Sequence, residues 1–443
     1  MVDEQIQPLS FGAELRRLRT EAGLSLSHFA QRVNYSKSHL SKIESGIKKP
    51  SQALARRCDQ GLGASGALAR LVQPTAPVPG SDSDPDPDFD SREEVWTMRL
   101  TSDGQNDFGA YDRRSVLTAG AATLMSWAIT PPLDRVGAAE STLPIFRGWL
   151  DELRRLGQSA PPGMVSQILI ATTNAVQGLA TDNHSSSRGE ALRLASRFAE
   201  YTGWMAQEKG DETAALWWTA HAIRLATAGG DPELESYGLV RRAELALYRG
   251  DPIATKALAR EAQTRSRSAR IRSFAAQREA QGHAIVGDER ACHRALERAA
   301  EFMRAGHAEA ADGPTLGSAT MTDPIAFVTA WCLQDLGRPL EAAEILDREL
   351  GSIAPDAHRT RARYGARLAL AAATVGQVER ACEVLRPVLD RAGTIDSATV
   401  RHDLRRLNRE LGRSRRQHSV RHIMPGLTLA LHSNTPEPLR YRA

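Results

Sequence analysis

The chain has 443 residues, 41% of them hydrophobic and 25% charged, with a formal net charge of +4. That length exceeds one small domain and calls for two or three units, and the composition is that of an ordinary globular protein, which excludes a fibrous or wholly disordered chain. No run of about 18 uncharged apolar residues is present to span a bilayer. The polar first residues lack the apolar core of an export signal, so a cytoplasmic protein without integral membrane association is expected. The four cysteines, Cys58, Cys292, Cys332 and Cys382, are far apart and fit no zinc or CxxC spacing; they read as small buried residues of a reducing compartment.

Phe11 to Ala22 predicts a helix with Leu15 and Leu18 turned inward, Arg16, Arg17 and Arg19 outward, and Gly23 as its stop. Two short amphipathic helices follow. Leu26, Phe29, Ala30 and Val33 recur at helical spacing before a break at Asn34-Tyr35-Ser36, and Leu40 and Ile43 continue the pattern after it. Asn34 tolerates left-handed backbone and can end the first helix; Ser36 can cap the second. Ala30 is small where the two helices must cross. This patterning predicts a helix-turn-helix, the arrangement whose second helix enters the DNA major groove. Ser51 is placed to cap a fourth helix carrying Leu54 and Cys58, Leu68 and Leu71 suggest a fifth, and Pro74 closes the unit. Basic residues concentrate here, with Lys37, Lys42, Lys48 and Lys49 in or just after the motif, a distribution that suits a polyanion partner.

Over residues 9–73 the chain resembles the Cro/C1 (XRE) family of regulators, whose DNA-binding domain is a five-helix, lambda-repressor-like fold. Leu15, Leu18, Ala30, Ser36, Leu40, Ile43, Glu44, Gly46 and the Pro50-Ser51 pair carry the resemblance. Ser27 and Asn34 depart from it, standing where the family often has Gln and Gly. The resemblance implies that Lys37, Ser38, Ser41 and Lys42 face the bases of a double-stranded operator, with His39 beside them. Ser27, Ser36, Ser45, Lys48 and Lys49 then hold phosphates, which fixes register and makes binding salt-dependent. A single unit of this kind buries little DNA, so a homodimer on an inverted repeat is expected.

Residues 74–110 are rich in Pro, Ser and Asp and read as an acidic linker too polar to bury a core. Residues 111–139 read as a connecting apolar helix; Arg113-Arg114 ahead of its apolar run imitates a twin-arginine export signal, but the position behind a DNA-binding unit argues against export.

From residue 140 to 412 the Ala-, Leu-, Arg- and Glu-rich sequence reads as helix throughout, which makes the expected fold class all-α. Aligning the chain on Gly210, Gly250, Gly287, Gly337 and Gly376 exposes a repeat. Seven residues before each anchor stand Gly203, Ala243, Ala280, Ala330 and Ala369; five after stand Ala215, Thr255, Cys292, Ala342 and Ala381. Small residues at fixed places on both helices let a hairpin close and its neighbour stack on it, so an α-solenoid is expected. The pattern resembles the tetratricopeptide repeat, and the joining of such a body to this head is similar to the peptide-responsive regulators of Gram-positive bacteria and the large actinobacterial regulators. An α-solenoid presents a groove for a peptide or protein ligand, with Asn174, Arg241, Arg242, Tyr248, Arg278 and Gln334 as candidate lining. Trp204, Trp217 and Trp218 read as core. Leu404, Leu407 and Leu411 suggest a capping helix, and 413–443 a basic tail.

No GxxxxGK[ST], HExxH or GxSxG motif and no Cys/His metal spacing is present, so the sequence points to no catalytic residue, cofactor or metal. Two readings follow: a DNA-binding transcriptional regulator whose solenoid dimerises and senses a signal, or an adaptor that works by protein binding with DNA contact secondary. In the first, control is expected through dimer geometry or through covering of Lys37 and Lys42.

Overall fold

The computed structural model describes residues 10–33, 35, 37–50, 52–64, 66–72, 94–100, 106–112, 138–180, 187–306, 316–317 and 320–432. Five helices form the head: α1 (Phe11–Glu21), α2 (Leu26–Arg32), α3 (Lys37–Glu44), α4 (Gln52–Leu62) and α5 (Ala67–Leu71). Ser10 and Ser25 cap the first two, their hydroxyls accepting from the Ala13 and His28 amides. Phe11, Leu15, Phe29, Ala30, Val33, Leu40, Ile43, Leu54, Cys58 and Leu68 close one core, which is the face read from the apolar spacing. The Asp59 carboxylate accepts from the amides of Leu68 and Ala69 at 2.8 Å each and so caps α5 from within.

Beyond the head the expected tether contains structure: β1 (Glu94–Leu100) pairs antiparallel with β2 (Asn106–Asp112), with Glu94 opposite Asp112 and Leu100 opposite Asn106. The rest of the acidic stretch, 74–93, and the Arg113-Arg114 segment lie outside the described residues.

Helices resume with α6 (Ala138–Ser159), α7 (Pro162–Gly178), α8 (Arg188–Lys209), α9 (Glu212–Gly229), α10 (Pro232–Arg249), α11 (Pro252–Arg265), α12 (Ala269–Val286), α13 (Glu289–Gly306), α14 (Pro324–Asp335), α15 (Pro339–Glu349), α16 (His358–Thr374), α17 (Val378–Ile395), α18 (Ala398–Leu411) and α19 (His418–His432). They form a run of packed hairpins. Every anchor glycine lies between the two helices of a pair with positive φ, from +77° to +89°, the left-handed conformation that ends a helix at least cost in glycine. Aspartate restarts the chain: Asp211, Asp251 and Asp288 follow such glycines and accept from the amides of Ala214, Ile253 and Ala254, and Ala291. The small positions are where the helices touch. Ala243, Ala280, Ala330 and Ala369 are fully buried, as are Ala215, Thr255, Ala342 and Ala381, and a methyl on Gly203 would stand 3.2 Å from the Thr219 hydroxyl. Of the three tryptophans expected in the core, Trp217 and Trp218 are buried and Trp204 is half-buried.

The packed helices continue beyond residue 412. In place of the expected basic tail from 413, α19 buries Val420, Ile423, Leu427 and Ala430 in the cluster that also holds Val388 and Leu404. Their spacing is helical, but a dense run of arginine and histidine just before them hides the stripe from a composition reading.

The chain divides into two compact units, Met1–Thr75 with Leu239–Ala443 and Ala76–Gly238. The head therefore belongs with the later hairpins. The fourth helix makes the join: Leu54, Ala55 and Cys58 face the head core, while Arg56 and Arg57 turn the other way. Arg56 Nη1 donates to the Asp335 carbonyl at 2.7 Å, and Arg57 Nη2 pairs with Glu410 at 3.2 Å. The backbone itself is close, since a Cβ on Gly337 would lie 3.1 Å from the Arg56 carbonyl oxygen. These contacts bury both arginines, Arg56 and Arg57, against the hairpins. The join predicts that Arg56→Ala, which strands the Asp335 carbonyl, lowers stability by about 1–3 kcal/mol. Hydrogen exchange should quicken in both 52–62 and 324–337; unchanged rates in the second segment would rule out a holding role for this contact.

Candidate nucleic-acid interface

Helix α3 has two faces. Leu40 and Ile43 are buried in the head core, and Lys37, Ser41 and Lys42 are exposed on the opposite side. Ser38 lies in the same helix, while Ser36 falls outside the described residues. Ser27 is exposed in the first turn of α2, and Lys48 and Lys49 are exposed in the loop after α3. Of the ten residues expected at DNA, Ser45 is already engaged: its hydroxyl donates to the Ser41 carbonyl at 2.8 Å and contacts that of Lys42, closing the last turn of α3.

Two contacts fix where α3 points. Arg19, expected to face outward, is drawn in by Glu44: Nε and Nη2 reach its two carboxylate oxygens at 2.7 and 3.0 Å, and Nη1 donates to the Leu24 carbonyl at 2.7 Å. This fork ties α1, the α1–α2 turn and the end of α3 together. Gly12 lets α1 press onto the same end; a Cβ there would lie 2.4 Å from the Ile43 carbonyl oxygen.

His39 is half-buried, its ring 5.4 Å from that of Tyr35. Burial, and then the charges of Lys48, Arg413 and Lys42, hold its pKa below the usual histidine value. Arg413, which follows α18, also stands 3.9 Å over the Tyr35 ring, and Arg57 lies 5.3 Å from that ring on the head side. The turn of the helix-turn-helix is thus gripped by a cation from the hairpins.

The candidate groove residues divide. Asn174 and Arg242 are exposed, and Asn174 belongs to the other unit. Arg241, Tyr248, Arg278 and Gln334 fall on the first helices of successive pairs. With Trp331, Asp335, Arg363, Arg367, Asp403 and Arg406 they build a network absent from the sequence reading. Arg241 pairs with Glu244 at 2.6 Å, and Gln334 Nε2 donates to Thr374 at 3.4 Å. Arg367 stacks 3.2 Å over the Trp331 ring and lies 3.0 Å from Asp403. Asp335 accepts from Trp331 Nε1 and from Arg406, both at 3.0 Å. Burial alone would raise the Asp335 carboxyl; Arg406, Arg56 and Arg367 outweigh it and hold the pKa below the usual value. The only signal of this network in the sequence is arginine or aromatic residues recurring in first helices, and arginine is too common in this chain to mark it.

Among the described residues no three His, Cys, Asp or Glu side chains are grouped to hold a metal, and no helix is long and apolar enough to cross a membrane. A family model described as a helix-turn-helix domain matches residues 10–72, so the head is a helix-turn-helix of the DNA-binding kind. Searches of curated proteins and of solved structures return no match.

Two outcomes follow. Gly12→Ala, which must displace backbone at the end of α3, should cost about 1–3 kcal/mol by chemical denaturation and weaken DNA binding by fluorescence anisotropy; wild-type values for both would refute the close packing. If a phosphate lies near His39 in the complex, the complex binds a proton that the free head does not, because its free pKa is lowered. Affinity should then rise as pH falls through the range in which the imidazole takes up its proton, and His39→Gln should flatten that slope; identical slopes would remove His39 from the interface.

Proposed function

We propose that this chain is a transcriptional regulator of the Cro/C1 type. Its head binds double-stranded operator DNA through Lys37, Ser38, His39, Ser41 and Lys42, with Ser27, Ser36, Lys48 and Lys49 at phosphates. The observation that carries the reading is the division of α3 within a helix-turn-helix match: apolar residues hold it to the core while two lysines and a serine stand free on the outward face. Lysine donates to guanine O6 and N7, and serine serves either base class. The hairpins, tetratricopeptide-like in their spacing of small residues, dimerise and receive a signal, and no catalytic role is assigned. Dimerisation is supported by the small area that one such head can bury on DNA.

A second reading is an adaptor in which protein binding dominates. It is favoured by large apolar side chains left exposed on the first hairpin, Ile145 at 57% and Trp149 at 51% on α6 with Met164 and Ile168 on α7, a signature of protein contact surfaces. A genome-wide footprint of the wild type and of Lys37→Ala/Lys42→Ala separates the two. Discrete peaks that vanish in the double variant are expected; a wild-type footprint without discrete peaks would favour the adaptor.

A further inference from the structure

Helix α7 carries no charge. Its sequence, PGMVSQILIATTNAVQG, holds no Asp, Glu, Lys, Arg or His, although one side of it is open to solvent. Val165, Leu169, Ile170, Thr172, Thr173 and Val176 are buried; Met164, Ile168, Ala171, Asn174, Ala175 and Gly178 are exposed. A helix at the solvent boundary ordinarily puts charge on its outer face. Helix α13 does so, exposing His293, Arg294, Glu297, Glu301 and Arg304. Of the ten large apolar side chains exposed among the described residues, four lie on α6 and α7, a concentration that marks a contact surface rather than scattered exposure.

The chemistry and shape of this face indicate what covers it. Its hydroxyls are spent: those of Ser166, Thr172 and Thr173 donate to the carbonyls of Pro162, Ile168 and Leu169 at 2.7, 2.8 and 2.7 Å, so a charged ligand finds no counterpart here. Met164, Ile168, Ala171, Ala175 and Gly178 follow one another in steps of four, three, four and three, the period at which one helix lies along another. The row also tapers, from large side chains in its first half to small ones in its second. Gly178 lacks the left-handed backbone that favours glycine, and a Cβ on it would meet nothing, so neither its own conformation nor its own chain demands a residue that small. Turned antiparallel on itself about Ala171, the taper closes. Met164 of one protomer falls opposite Gly178 of its partner, Ile168 opposite Ala175, and Ala171 opposite Ala171. Large meets small away from the axis, and a two-fold contact makes each such pairing twice. Any charge near the axis would meet its like; the face has none, and its exposed amide, Asn174, both donates and accepts.

We propose that the outer face of α7 is a self-association surface, on which α7 of a second copy of this chain packs antiparallel across a two-fold axis at Ala171. The proposal rests on the reading that the hairpins dimerise, and it names the surface that does so. A two-fold axis is also the symmetry that an inverted repeat in DNA asks of its two heads. Because the face is uncharged, the contact is apolar and does not weaken with salt, whereas phosphate contacts of the head do.

Light scattering coupled to size exclusion, on the full chain at micromolar concentration, tests this. The wild type is expected at twice the 48.3 kDa chain mass and should keep that mass in high salt. Ala171→Glu sets two carboxylates against each other on the axis and should raise the dimer Kd at least about tenfold. Its far-ultraviolet circular dichroism and thermal midpoint should match the wild type, since the position is exposed. Ile168→Lys and Ala175→Glu should each weaken the dimer likewise, and together should restore it, each lysine then facing a glutamate of the other chain. A wild type of single-chain mass overturns the proposal and leaves the face to an unrelated protein. Failure of the double variant to recover overturns the antiparallel register. A dimer that survives Ala171→Glu sinks this face while the dimer reading stands; a chain that is single both free and on operator DNA sinks both.

Discussion

Asp335 is the point on which the larger unit turns. Its carboxylate holds Arg406 and the Trp331 indole, and its carbonyl holds Arg56. An unpaired ion costs several kcal/mol to bury, and partners on every side offset that cost. Asp335 ends α14 at the turn where Gly337 lets the Arg56 backbone approach. One residue therefore joins three things: the end of a hairpin helix, the arginine layer on the face of the first helices, and the fourth helix of the head. Arg57 on Glu410 and Arg413 over Tyr35 extend the join, so the helix-turn-helix is seated on the hairpins and its position depends on them.

That seating changes how control can work. A head on a loose tether could be regulated only by masking or by dimer geometry. Here Lys37 and Lys42 are exposed while α4 and the turn at Tyr35 are held by the hairpins. Inside the head the Arg19–Glu44 fork and the glycine contact at Gly12 keep α3 in register with α1.

Much of the fold was legible. The helix-turn-helix showed in the spacing of Phe29, Ala30, Val33, Leu40 and Ile43, because a helix that must bury one stripe repeats its apolar residues every three or four places. The hairpins showed in glycines and small residues at fixed offsets, because close helix crossing tolerates nothing larger. The α19 helix and the strand pair β1–β2 were missed. In the first case basic residues masked an apolar stripe; in the second an acidic, Pro-rich approach suggested a structureless stretch throughout.

The sequence by itself determined the small buried positions of the repeated hairpins, the glycine turn inside each of those pairs, and which face of α3 is left exposed. These are short-range matters, settled by periodicity, backbone conformation and capping within a dozen or so residues. The tertiary structure alone decided what each arginine does. Arg19 closes on Glu44, Arg56 on Asp335, and Arg367 on Trp331 and Asp403, from up to 279 positions away. Arg278 acts on Glu244, on a different helix, through its charge. A long cation takes its role from whichever carboxylate or aromatic ring folding brings within a few ångströms, and nothing local in the chain records that encounter.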